Sequence, residues 1–344
     1  MTTPSALPHA HGGPVITATL RREPADFEVE EIPAFDPDGS GEHALLWVEK
    51  TGANTEWVAR ELARVAGVAP VAVGFAGLKD RHAVTRQAFT VQIGNRPDPD
   101  WQGLAIPGVR VLSATRHSRK LRRGALRGNR FRIRLRNVAG DAAALEQRIA
   151  SVREQGVPNY FGEQRFGRDG GNVELARRLF AGARMPRERR SIALSAARSA
   201  LFNAVLARRV ADASWNRPLD GEIWMLAGSH SVFGPEAWSE ALAGRLARLD
   251  IHPTGPLWGR GELRTTARAR EVERSVADEF AELAEGLERA GLEQERRALR
   301  LVATDLVMQR EGGDGVVLAF VLEAGAYATT VLRELCDWHG DAAG

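Results

Sequence analysis

Apolar and polar positions alternate over residues 27–31, and after a stretch rich in Pro, Asp and Gly (33–41) an apolar run at 44–48 follows. This predicts two strands joined as a hairpin. Asn54 stands where a helix cap belongs, Trp57, Val58, Leu62 and Val65 share one side of the next turns, and Gly67 supplies a stop, so a helix is predicted there. Short strands follow at 72–76 and 88–93, with 77–87 as their connection. Strict alternation returns at 130–136, where Phe131, Ile133 and Leu135 face one way and four arginines the other, the period of a half-buried strand. Beyond about residue 142 the apolar spacing shifts to three and four, predicting helices at 145–152, 173–180, 195–210 and 271–287. The last carries Val272, Val276, Phe280, Leu283 and Leu287 as one stripe. Strands at 301–309 and 316–322 flank a turn at 311–315, and a short helix at 328–338 closes the chain. A strand-rich region, a helix-rich middle and a return to strands fit one domain inserted into another, with no repeat of fixed period.

Composition narrows this picture. A chain of 344 residues exceeds what one hydrophobic core usually supports, so two domains are expected. No apolar run approaches the roughly 20 residues of a membrane helix, which predicts a soluble, cytoplasmic protein with no membrane partner. Residues 1–13 lack both parts of a secretory signal and read as a frayed tail, in which His9 and His11 have no assigned role. The lone Cys336 cannot form an internal disulfide, and the scattered histidines offer no zinc spacing, so neither metal nor cofactor is expected.

Charge is informative through its distribution. The formal net charge is only +3. Yet residues 101–140 contain no Asp or Glu, while Arg110, Arg116, Arg119, Lys120, Arg122, Arg123, Arg127, Arg130, Arg132, Arg134 and Arg136 crowd into them. Such a segment is the footprint of a polyanion partner. The arginine face at 130–136 calls for opposite charge, a solvated ladder being the alternative.

The segment Gly74-Phe75-Ala76-Gly77-Leu78-Lys79-Asp80-Arg81 places a carboxylate between two cations, after two glycines, at the end of a predicted strand. Adjacent positive charge favours an ionised carboxylate and glycine permits close approach of a ligand, so Asp80 suits a nucleophile or base. An exposed turn would explain the same residues. A phosphate-binding P-loop would not, because the G-x-x-x-x-G-K-[ST] spacing is missing.

This segment, continued by Ala83-Val84-Thr85-Arg86-Gln87, resembles the signature of the TruD family of tRNA pseudouridine synthases. Asn159-Tyr160-Phe161-Gly162-Glu163-Gln164-Arg165-Phe166-Gly167, Leu126-Arg127-Gly128-Asn129-Arg130-Phe131 and Tyr327-Ala328-Thr329-Thr330-Val331-Leu332-Arg333-Glu334-Leu335 resemble further blocks of that family, so the likeness spans nearly the whole chain. It implies an α+β fold: a pseudouridine-synthase core with a mixed, largely antiparallel sheet (1–153 and 302–344), and an inserted α/β domain (154–301) forming an RNA-binding cleft. It further implies a monomeric, cofactor-free isomerase that converts uridine 13 in the D arm of tRNA, with Asp80 as the catalytic residue. Phe27, Asn129, Phe131 and Tyr327 are implied as base contacts, with Lys79 and Arg81 supplying a positive field. An extruded base needs aromatic faces and a donor–acceptor edge, which these residues offer; Phe27, Phe131 and Tyr327 also fit ordinary packed positions. Arg198, Ser199, Phe202 and Asn203 match a family pattern read as scaffold. His82 departs from the basic residue usual there, and Glu323 from a common proline, which bears on Tyr327. Two rivals stand beside this reading: a non-catalytic tRNA-binding protein or RNA chaperone, and a carboxylate hydrolase, which would need a second acid not evident near Asp80.

Overall fold

The chain divides into two compact units, and the computed structural model describes residues 7–340. One unit comprises Ile16–Ala142, Thr304–Gly325 and the residues from Asp337 onward. Among the described residues its sheet has ten strands: β1 (Ile16–Leu20), β2 (Phe27–Pro33), β3 (His43–Thr51), β4 (Val73–Phe75), β5 (Val84–Gln92), β6 (Val109–His117), β7 (Leu126–Gly140), β8 (Thr304–Glu311), β9 (Gly315–Glu323) and β10 (Cys336–Gly340). Their order is β8-β9-β7-β2-β5-β3-β6, with β4 paired to β5 and β1 lying between β7 and β10. Only the β2–β5 pairing is parallel among those with a defined register, so the sheet is mixed and largely antiparallel.

The expected hairpin does not form. β5 lies between β2 and β3, parallel to the first and antiparallel to the second. Its run Gln87–Val91 is buried on both faces and must be hydrogen-bonded along both edges. The segment joining β2 to β3 is long enough to step over one intervening strand, a distance of about 10 Å. Helix α1 (Thr55–Ala66) covers this part of the sheet, burying Val58, Leu62 and Ala63 with Leu46, Val48, Phe89 and Val91. It starts at Asn54 without a side-chain cap bond and ends at Gly67, whose φ of 61° is the left-handed stop that glycine adopts without strain.

The alternation of β7 is as expected, but its arginines find their counter-charges inside the chain. Arg132 pairs with Glu28 at 3.1 Å, Arg134 with Glu311 at 2.6 Å, and Arg136 with the buried Asp26 at 2.8 Å. Glu28 stands directly opposite Arg132 across the β2–β7 ladder. The polyanion expected for this face is therefore supplied, for three of its four arginines, by carboxylates the sequence places far from them.

The other unit, Met1–Val15, Ala143–Ala303 and Ala326–Cys336, is built on helices. Its helices are α2 (Ala142–Gln155), α3 (Gly171–Phe180), α4 (Arg187–Ala211), α5 (Glu240–Ala247), α6 (Ala267–Glu279), α7 (Ala281–Arg289) and α8 (Ala328–Leu335). α4 is the axis of its core, burying Leu201, Phe202, Val205 and Leu206 against Val173, Val276, Leu283 and Leu287. An antiparallel sheet of four short strands, centred on Ile251–Leu257, completes the unit. The single helix expected at 271–287 is two, broken at Phe280 (φ −111°, ψ 39°). The apolar stripe continues across the break into one core, and Gly286 of α7 lies against the ring of Phe180, where a Cβ would not fit. The closing helix ends at Leu335, and Trp338 belongs to β10.

The tail expected to fray is docked where it can be seen. Met1–Ala6 lie outside the described residues. Leu7 is buried, the Leu7 and Pro8 carbonyls accept from Arg333, and the His11 backbone N–H donates to Glu334 at 3.2 Å. No helix of the described residues is long and apolar enough to cross a membrane.

Candidate active site

Asp80 lies on the short loop between β4 and β5, and that loop is tied down at several points. Gln87 Nε2 donates to the Gly77 carbonyl at 3.0 Å, and the Lys79 N–H donates to Thr55 Oγ1 at 3.0 Å. Thr55 in turn donates to Gln87 at 3.0 Å, so both anchors belong to one buried pair. The Arg81 side chain donates to the Gly52 carbonyl, while the Gly52 N–H donates back to the Arg81 carbonyl at 3.1 Å. Within the loop, Asp80 Oδ1 accepts from the His82 N–H at 3.0 Å, a side-chain-to-backbone turn that orients the carboxylate. Glycine is required just upstream: a Cβ at Gly74 would stand 2.5 Å from the Leu121 carbonyl, so any larger residue would push the arginine-rich loop off the strand.

The cations flanking Asp80 in sequence do not touch its carboxylate. Lys79 turns inward to Glu31, 2.7 Å away, in a pair that is 5% and 0% exposed. Arg81 is exposed and occupied with Gly52. The cation that does reach Asp80 is Arg21, whose guanidinium lies 2.8 Å from Oδ2. Arg21 sits at the end of β1 with φ at 61°, uncommon for a side chain of that size and the kind of outlier held in place at working sites. Its guanidinium lies 4.1 Å over the ring of Phe27. Two arginines after a strand-like run carry no sequence signal of this contact.

Beneath the loop is a second cation that sequence reading passed over. Lys50, on β3, is fully buried, and its Nζ donates to the Asp80 carbonyl at 2.8 Å and towards the Lys79 carbonyl at 3.4 Å. Burial pushes this ammonium down to about 8, a fall that the Asp80 carboxylate opposes and Lys79 reinforces.

Of the residues expected to contact a base, three come together in the sheet unit. Phe27 and Phe131 are buried and meet edge to face at 6.2 Å, and Phe131 stacks on Phe320 at 5.5 Å. Asn129 stands opposite Glu31 in the β2–β7 register, so one step through Glu31 and Lys79 leads from it to the Asp80 loop. Its Oδ1 is buried and has no hydrogen-bond partner. Such an orphaned acceptor costs roughly 1–3 kcal/mol, a cost commonly retained where a ligand supplies the donor. Tyr327 belongs to the helical unit, at the start of α8, where its hydroxyl accepts from Arg165 at 3.0 Å. Arg165 also donates to Ser195 at 2.8 Å, so Tyr327 is joined to the aromatic and basic cluster at residues 159–167. Tyr160, Phe161 and Phe166 of that cluster are core residues, and Asn203 clamps the Phe161 backbone through both its N–H and its carbonyl, the scaffold part expected of it.

The loop after β6 borders the candidate site. The Gly124 N–H donates to the Ala76 carbonyl at 2.8 Å, and Arg123 lies 3.9 Å over Phe75. Arg122 on this loop and Arg127 and Arg130 at the start of β7 are exposed and have no ion-pair partner among the described residues. Among the described residues no cluster of His, Cys, Asp and Glu could hold a metal ion.

Comparison with known proteins finds relatives along nearly the whole chain. The family model described as tRNA pseudouridine synthase D (TruD) matches residues 8–182 and 179–335. A protein named tRNA pseudouridine synthase D from Xanthomonas axonopodis pv. citri is 52% identical over 98% of this chain and 96% of its own length. One of the same name from Methylococcus capsulatus is 51% identical over 96% of this chain and 94% of its own. A crystal structure from Methanosarcina mazei, described as a tRNA pseudouridine synthase D, superposes with a TM-score of 0.73 over 95% of both chains at 21% identity, a likeness of fold. With the family model covering most of its length and relatives above half identity end to end, the chain belongs to the tRNA pseudouridine synthase D (TruD) family.

Proposed function

We propose that this protein is a cytoplasmic tRNA pseudouridine synthase that isomerises uridine 13 of the D arm, with Asp80 as its catalytic carboxylate. One observation carries the reading: in a chain of this family, the Asp80 carboxylate rests 2.8 Å from Arg21 on a loop whose backbone is anchored from β3, α1 and β5. In the reaction the N1–C1′ bond of the uridine breaks, the uracil turns, C5 joins C1′, and the C5 proton is passed to N1, so nothing is gained or lost. Asp80 acts on the ribose, as a nucleophile at C1′ or as a base that drives the sugar towards a glycal. Arg21 holds the carboxylate in its attacking position and adds positive charge beside the detached uracil anion.

A base within an RNA stack is out of reach, so the target uridine is extruded into the site. Phe27 and Phe131 form its apolar floor, and the Asn129 carboxamide matches the donor and acceptor edge of uracil. Tyr327 is taken as a further base contact. Lys79 acts through Glu31 to hold the loop, while the exposed Arg81 and the free arginines of 122–130 meet phosphate. The chemistry is assigned to 1–153 with 302–344, and the inserted 154–301 to RNA binding. The decisive experiment is chemical-probing primer extension across unmodified tRNA transcripts, after incubation with wild type and with Asp80→Ala. A new pseudouridine in the D arm with wild type alone is expected; binding by both proteins without base change would favour the non-catalytic RNA-binding reading.

A further inference from the structure

Lys50 is a charge the fold has no structural need to bury. It occupies the last inward-facing position of β3, opposite Thr85 of β5 and Val109 of β6, and is 0% exposed. Buried lysines are ordinarily paired with a carboxylate, because desolvating an ammonium is costly. No carboxylate lies within ion-pair distance of Lys50 among the described residues, and its hydrogen bonds go to two consecutive carbonyls of one loop, those of Lys79 and Asp80. Two adjacent carbonyls converging on one ammonium fix the curl of the backbone on which the Asp80 side chain is carried. Lys79, the buried cation next to Asp80 in sequence, is already paired with Glu31, whereas Lys50 meets only the loop carbonyls.

We propose that Lys50 is a positioning residue for the pseudouridine-forming reaction: its ammonium pins the Lys79–Asp80 peptide so that the carboxylate stays against Arg21, and its charge stabilises the site as the uracil leaves as an anion. This rests on the isomerase reading given above. A buried charge held for function is expected to weaken the fold, since replacing such a group by an apolar one of similar volume is often neutral or stabilising. Lys50→Met therefore separates the two roles. The expected result is a kcat lower by roughly 10- to 100-fold with KM and tRNA affinity within about twofold, and a melting temperature equal to or above that of wild type. Lys50→Gln, which returns a donor without the charge, should recover part of the loss. Hydrogen exchange at the Lys79 and His82 amides, both bonded in the native loop, should quicken about tenfold in Lys50→Met while the strand amides keep their protection. Unchanged kcat and exchange in Lys50→Met would overturn the proposal, as would a fall in kcat matched by a drop in melting temperature and a general loss of protection. Absence of product with wild type would instead sink the isomerase reading, while the exchange measurement still decides whether Lys50 holds the loop.

Discussion

Two groups of arginines on β7 and the loop just before it come from one acid-free stretch, yet they have opposite fates. Arg132, Arg134 and Arg136 lie on one face of a strand and meet Glu28, Glu311 and Asp26, delivered by β2, β8 and the turn ahead of β2. Arg122, on the loop before β7, and Arg127 and Arg130, at the start of β7, meet no carboxylate among the described residues, and the first of these segments is bonded to the Asp80 loop through Gly124 and Ala76. Local charge density is therefore a poor guide to a nucleic-acid surface. What distinguishes the two groups is whether the fold brings acids to them, and only the unsatisfied group retains positive potential for phosphate.

The sharpest tests of this contrast begin at the site that the free arginines border. Asp80→Asn should remove pseudouridine formation by more than about a thousandfold while leaving tRNA binding intact, as a filter-binding titration beside the modification assay would reveal. Arg21→Ala should lower kcat by roughly a hundredfold, the scale of one lost electrostatic partner at a reacting centre, with circular dichroism unchanged. Replacing Arg122, Arg127 and Arg130 together by Gln should weaken tRNA binding by about tenfold at physiological salt and flatten the dependence of log affinity on log salt by about two to three. Unaltered salt dependence would take these arginines out of the interface. The matching change in the ladder, Arg134→Gln with Arg136→Gln, should leave that slope alone but lower the melting temperature by about 5 °C or more, because it strands the buried carboxylate of Asp26. A collapse of RNA binding in the ladder variant would erase the distinction between the two groups.

Legibility in the sequence followed the range of the interactions involved. α1 was readable because its cap, stripe and glycine stop lie within one short span, and β7 because strand alternation is a property of neighbours. The sheet order was not: apolar runs at β2 and β3 say nothing about β5 coming between them. Asp80 could be singled out because Gly-Leu-Lys-Asp-Arg is contiguous, yet the roles of its neighbours could not. Lys79 and Arg81 flank it in sequence and turn elsewhere, whereas Arg21 and Lys50, from β1 and β3, make the contacts.

The sequence by itself determined the alternation of strand-rich and helix-rich regions, the acid-free basic stretch, the carboxylate in its glycine-bearing loop, and a family likeness running from end to end. Tertiary structure decided which charges cancel. It buried Glu31 against Lys79, laid Arg21 across Phe27 onto Asp80, and set an unpaired ammonium under the peptide that carries the carboxylate. The reason is physical: helix and strand periodicity arise from residues a few positions apart, whereas the electrostatics of a site depend on separations of 3 to 4 Å between side chains that only the folded sheet brings together.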